Sequence, residues 1–212
     1  MNFTEFMITY GSLPVIETEN LLAGIMAPKP VEVQISRWRR SGKIIQLRRG
    51  IYTLAEPYRK VEVYEPYLAA LLRRPSYLSL EKALEYHNLI PEAVPTYTSV
   101  TTKSPVKFVT RLGTFDYRHI RESLFWGYQS VVVNKQTAFI ASPEKALLDL
   151  FYLRSMEVSG ACLQELRLEN TEKIHLGRLA EYAKRFGKPK ILRAAMVITD
   201  YVRAHRTEEK LL

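Results

Sequence analysis

The chain of 212 residues has a single cysteine, Cys162. One thiol cannot close an internal disulfide, so burial and hydrogen bonding must hold the fold together, as expected in a reducing compartment. Aspartate is nearly as scarce: Asp116, Asp149 and Asp200 stand far apart. That spacing leaves no D-x-D pair to hold a metal for nucleotidyl transfer. His87, His119, His175 and His205 are isolated, with no second histidine or cysteine at zinc-ligand spacing. There is no G-x-x-x-x-G-K-[ST] phosphate loop and no G-x-S-x-G elbow. Asp116 and His119 are close enough in sequence to be considered a pair, but nothing else joins them, and Cys162 reads as a structural thiol. No catalytic site, metal or cofactor is therefore expected. No apolar run approaches the ~18 residues that cross a bilayer. The first 28 residues contain no Lys or Arg, so no signal peptide is expected there and the location expected is cytoplasmic, away from membranes.

What the chain does have is positive charge, unevenly placed. The net charge is +9, with 47% hydrophobic and 25% charged residues, a folded composition. Residues 29–60 hold nine Lys or Arg against two Glu, whereas residues 1–28 hold three Glu and no base. A short basic segment in an otherwise mixed chain is the footprint of a polyanion partner.

That segment contains "SRWRRSGKIIQLRRGIYTL", Ser36 to Leu54. Before it, residues 3–10 read as a helix ended by Leu13-Pro14. A second helix is expected in "PVIETENLLAGI", with Thr18 as a possible N-cap, Leu21, Leu22 and Ile25 at helical apolar spacing, Gly24 near its end and "APKP" as a stop. Residues from Pro30 carry both strand and helix signals; Val31, Ile35 and Trp38 at i, i+4, i+7 favour a third helix ending at Gly42. Its inner face would hold Val31, Ile35 and Trp38, and its outer face Val33, Ser36, Arg37 and Arg40. "KIIQLRRGIYTL" then reads as two short strands turning at Arg48-Arg49-Gly50. Three helices followed by a hairpin is the order of a winged helix-turn-helix, whose third helix enters the major groove of double-stranded DNA. The residues expected to contact DNA are Lys29, Ser36, Arg37, Arg40, Lys43, Arg48 and Arg49.

Residues 55–66, with Pro57 and Pro66, read as a linker, so the domains expected are 1–60 and 61–212. The second should be α+β: helices "PYLAALL" and "LSLEKALEYHNLI" with Ser79 as N-cap, then strands "TYTSVTT", "VKFVT", "GTFDYRHI", "SLFWGYQ", "SVVVN" and "TAFIA" in a mainly antiparallel sheet. A helix from Pro143 capped by Ser142 follows, then helices around 162–168, 174–186 and 189–205. Residues 173–210 hold ten bases and four acids. Arg178, Lys184, Arg185 and Lys188 project from this cluster and could meet a second polyanion such as a tRNA, or only solvent. Tyr52, Tyr77, Tyr97, Tyr117, Trp126 and Tyr128 could stack RNA bases or fill a core; an RNA-contacting protein is the alternative to a DNA-binding one.

"WRRSGKIIQLRRGIYTL" (38–54), "PSYLSLEKALEYHNLIPE" (75–92), "TSVTTKSP" (98–105) and "AFIASPEKALLDLFYL" (138–153) together resemble the AbiEi-type antitoxins of bacterial abortive-infection systems. The resemblance covers residues 1–155 clearly and the rest weakly. It implies an autorepressor that binds inverted repeats in its own promoter. It also implies an antitoxin, acting through the second domain against a nucleotidyltransferase-like toxin without forming a stable complex.

Overall fold

The computed structural model describes residues 1–23, 29–154 and 158–208, with backbone alone for 207 and 208. Gly24, Ile25 and the Ala27-Pro28 stop lie outside the described residues, as does Lys210 of the C-terminal cluster. The N-terminal part runs α1 (Phe3–Tyr10), β1 (Ile16–Glu17), α2 (Thr18–Leu22), α3 (Lys29–Arg40), β2 (Ile44–Arg48) and β3 (Ile51–Leu54). A reciprocal capping box starts α1: Asn2 Oδ1 accepts from the Glu5 amide, and the Glu5 carboxylate accepts from the Asn2 amide, both at 2.9 Å. The helix expected from "PVIETENLLAGI" is shorter: Ile16 and Glu17 pair with β3 as a strand, so Thr18 is the first residue of α2 and Glu17 occupies its cap position. Strands β1 and β2 both pair antiparallel with β3, giving a three-stranded sheet in the order β1-β3-β2. The β2–β3 turn requires Gly50, at φ +80°, a conformation that costs an L side chain energy.

Phe6, Ile16, Leu21, Ile35, Trp38, Ile44 and Leu54 form a small core inside this part. Trp38 is its largest side chain, against Phe6 at 4.7 Å and Phe3 at 5.5 Å. Arg39 reaches from α3 to Gln46 of β2 at 2.6 Å, tying helix to hairpin.

After a single 3-10 turn, Glu56–Tyr58, the chain enters the second part through an extended segment. The buried Gln136 side chain fastens that segment, donating to Glu62 O and accepting from Tyr64 N, both at 2.9 Å. The elements that follow are α4 (Glu65–Leu72), β4 (Ser76–Leu78), α5 (Leu80–Tyr86), β5 (Thr96–Thr101), β6 (Val106–Thr110), β7 (Gly113–His119), β8 (Tyr128–Val133), β9 (Gln136–Ala141), α6 (Pro143–Leu153), α7 (Gly160–Glu165), α8 (Leu176–Phe186) and α9 (Pro189–Glu208). Six strands form one sheet in the order β6-β7-β5-β4-β9-β8.

This sheet is mixed: β4–β5, β6–β7 and β8–β9 pair antiparallel, and the two parallel pairings, β5–β7 and β4–β9, flank the β4–β5 pair. The centre turns on β4, three residues buried throughout that the sequence did not mark as a strand. So short a strand, buried on both faces, shows no alternation. "SLFWGYQ" is not one strand either: a 3-10 turn, Glu122–Leu124, precedes Gly127 at φ +77°, and β8 starts at Tyr128. A Cβ at Gly127 would sit 3.0 Å from the Lys145 side chain, so the close approach adds to the backbone demand. Ser142 caps α6 as expected, accepting from Lys145 N at 3.3 Å.

The division near residue 60 separates two cores incompletely. Val15, Leu47 and Ile51 belong to the large core of the second part. Arg74 and Glu17 form a two-pronged ion pair across the junction at 3.0 and 3.1 Å.

Candidate nucleic-acid interface

Helix α3 presents two unlike faces. Ile35 and Trp38 are buried, whereas Lys29, Val33, Arg37 and Arg40 are exposed. These four stand at i, i+4, i+8 and i+11, so they share one stripe along the helix. Among the described residues, the side chains of Lys29, Arg37 and Arg40 have no protein partner. Val33 is 49% exposed between them, an apolar group on a cationic stripe. Ser36 is half-buried beside it. Lys43, at the turn from α3 to β2, lies 4.5 Å over the Phe3 ring and so steadies α1 as well as adding charge.

The hairpin turn separates the two arginines expected at its tip. Arg49 is exposed and its side chain has no protein partner among the described residues. Arg48 is turned to the second part: its guanidinium donates to Leu72 O and lies 5.4 Å over the Phe108 ring. Position in a turn does not tell which of two neighbouring side chains faces a second body, because successive strand residues point opposite ways.

The C-terminal cluster is similarly divided. Arg178 pairs at 3.7 Å with the fully buried Glu144, whose carboxylate also accepts from His175 N and Ser142 Oγ at 2.8 Å. Arg185 lies 4.2 Å over the Trp126 ring. Lys184 and Lys188 remain exposed. Two of the four cations are thus engaged by the protein itself.

The proposed stacking aromatics do not form a platform. Tyr77, Tyr117 and Trp126 are buried; Tyr117 donates to Ala69 O at 2.7 Å, and burial raises its pKa. Tyr97 and Tyr52 are half-buried, and Tyr128 alone of the six is exposed. Asp116 and His119 lie three apart on β7 and so on opposite faces. Asp116 instead pairs with Arg118 at 2.8 Å. No group of three or more His, Cys, Asp or Glu among the described residues could hold a metal ion. Cys162 is buried, which raises its pKa. No helix of the described residues is long and apolar enough to cross a membrane.

Sequence reasoning missed one polar constellation. Lys145 and Asp149 are both fully buried on α6 and form an ion pair. Asp149 also accepts from Tyr77 Oη and Ser79 Oγ at 2.9 Å, and Lys145 donates to Tyr77 Oη at 2.8 Å. Burial pushes the lysine pKa down and the aspartate pKa up, each opposed by its partner's charge. The signal was two opposite charges at i, i+4 in an apolar helix. Ser79, expected as a helix cap, gives its hydroxyl to this network and makes no cap bond. With no exposed atom to offer a substrate, the network locks α6 to β4.

No protein-family model and no curated protein matches this chain.

Proposed function

We propose that the first 60 residues are a winged helix-turn-helix and that the chain is a DNA-binding transcriptional regulator. The observation that carries this reading is the outer stripe of α3: Lys29, Val33, Arg37 and Arg40, backed by the buried Ile35 and Trp38. Arginine donates bidentately to guanine in the major groove, lysine neutralises phosphate, and an exposed Val contacts a thymine methyl. The order α1-β1-α2-α3-β2-β3, with sheet order β1-β3-β2, supports α3 as the recognition helix and β2–β3 as the wing. Arg49 is then the wing cation nearest DNA. Arg48 serves the junction instead.

The resemblance to AbiEi-type antitoxins supplies the biological half of the proposal. The chain represses its own promoter at inverted repeats, and its second part counters a nucleotidyltransferase-like toxin without a stable complex. The test is a gel shift of the purified protein on its own upstream DNA, beside tRNA and random duplex. Preference for the upstream DNA is expected; equal affinity for all three rejects the regulator. Growth rescue from the toxin encoded beside it, with no co-purification, tests the antitoxin half.

A further inference from the structure

Two cavities share a wall on the second part, and one of them is also lined by the β2–β3 hairpin. One, of about 420 Å³, is walled by Tyr67, Phe125, Tyr128 and Phe139. The other, of about 280 Å³, is lined by Arg48, Arg49, Arg73, Arg74 and Lys103, with the carboxylates of Glu17 and Glu19. Leu71 and Arg74 line both cavities, so an aromatic chamber and a cationic one adjoin at a guanidinium.

Each chamber is already organised. Tyr128, 36% exposed, stacks on the buried Tyr77 at 4.7 Å, with Phe125 tilted against it at 5.3 Å. Phe139, 38% exposed, meets its edge at 5.9 Å. Rings held from behind lose little freedom when a planar ligand stacks on them. In the cationic chamber, Arg73 donates to both Ser104 oxygens at 2.8 Å, yet its Nε is buried with no partner among the described residues. The side chains of Arg49 and Lys103 are likewise without a protein partner among the described residues. Five cations face two carboxylates, one of which, Glu17, is bound to Arg74. The excess positive charge favours an oxyanion.

We propose that the two cavities are one site for a free nucleotide. The base stacks among Tyr67, Phe125, Tyr128 and Phe139, and the phosphates lie at Arg49, Arg73 and Lys103, with Arg74 between. Together the chambers reach the size usual for ligand sites, and both halves of a nucleotide find their complement. The site uses α4, β8, β9 and Arg49, the one residue it shares with the wing, and not the outer stripe of α3, so it goes beyond the DNA reading and does not depend on it. Because it joins hairpin to sheet, an occupant would fasten one to the other.

The test titrates ATP, GTP, CTP and UTP separately into the full chain by calorimetry. Adenosine and inorganic pyrophosphate serve as half-ligands, and a 5′-phosphorylated single-stranded oligonucleotide serves as the strand control. At least one nucleotide should saturate with Kd below about 100 μM, and each half-ligand should bind about tenfold more weakly or worse. Lys103→Gln and Tyr128→Ala should each weaken the nucleotide by about tenfold, whereas Arg37→Ala should not. The proposal falls if none of the four nucleotides saturates by about 1 mM, if both site variants bind like the native chain, if a half-ligand matches the nucleotide, or if only the oligonucleotide binds.

Discussion

Arg37 and Trp38 are neighbours in sequence and opposites in role, because one step along a helix turns the side chain through about 100°. Trp38→Ala removes an indole from a small core and should cost about 3–5 kcal/mol, enough to melt the N-terminal part. Thermal denaturation followed by near-UV circular dichroism should show that loss. Arg37→Ala should leave the melting curve unchanged and narrow the gap between upstream and random DNA, with about 1–3 kcal/mol of discrimination lost. In the second part, the buried pair on α6 makes a sharper prediction. Asp149→Ala leaves the Lys145 ammonium uncompensated and should cost about 3–5 kcal/mol, whereas Lys145→Met with Asp149→Leu should recover much of that. Urea denaturation of the three proteins measures both. His87 supplies a pH dependence. Its Nε2 lies 2.7 Å from Ala141 O, and burial, opposed by that bond, holds its pKa below the ordinary value. The folded state therefore favours neutral imidazole, and the unfolded chain takes up the proton first, near pH ~6.5. This stabilising contribution is present above that value and is lost as pH falls towards the folded pKa. Between about pH 7.5 and 5.5, the native protein should lose more melting temperature than His87→Gln.

At the scale of elements, α3 and the hairpin were legible because their demands are local. The i, i+4, i+7 apolar positions sort the faces of α3, and Arg49-Gly50 can turn because glycine tolerates positive φ. What the two hairpin arginines touch was not legible, since Leu72 O and Phe108 come from distant sequence. Their variants should differ accordingly. Arg49→Ala should reduce the salt slope of DNA binding by about one unit and weaken specific and random duplex alike. Arg48→Ala should instead lower the melting temperature by loosening the junction, with little change in that slope. A salt titration with melting curves alongside separates them. Equal slopes for Arg49→Ala and the native chain would remove Arg49 from the interface.

Across the whole molecule, the junction near residue 60 is covalently simple and physically shared. The second part holds most of its own core, so a fragment of residues 61–212 should fold. It should also melt below the full chain, because removing Val15, Leu47 and Ile51 uncovers apolar surface they bury. Circular dichroism melts of the fragment and the full chain measure the difference; an unfolded fragment would contradict it. The sequence by itself determined the helix order, the hairpin, the Ser142 cap and the basic bias of residues 29–60. Each depends on periodicity, turn chemistry or composition within a few residues. Only the tertiary structure decided that β4 lies at the sheet centre, antiparallel to β5 and parallel to β9, that Arg48, Arg178 and Arg185 are engaged by the protein, and that Lys145 meets Asp149, Tyr77 and Ser79 out of water. Those outcomes depend on which distant segments exclude solvent from one another, and no local pattern encodes that exclusion.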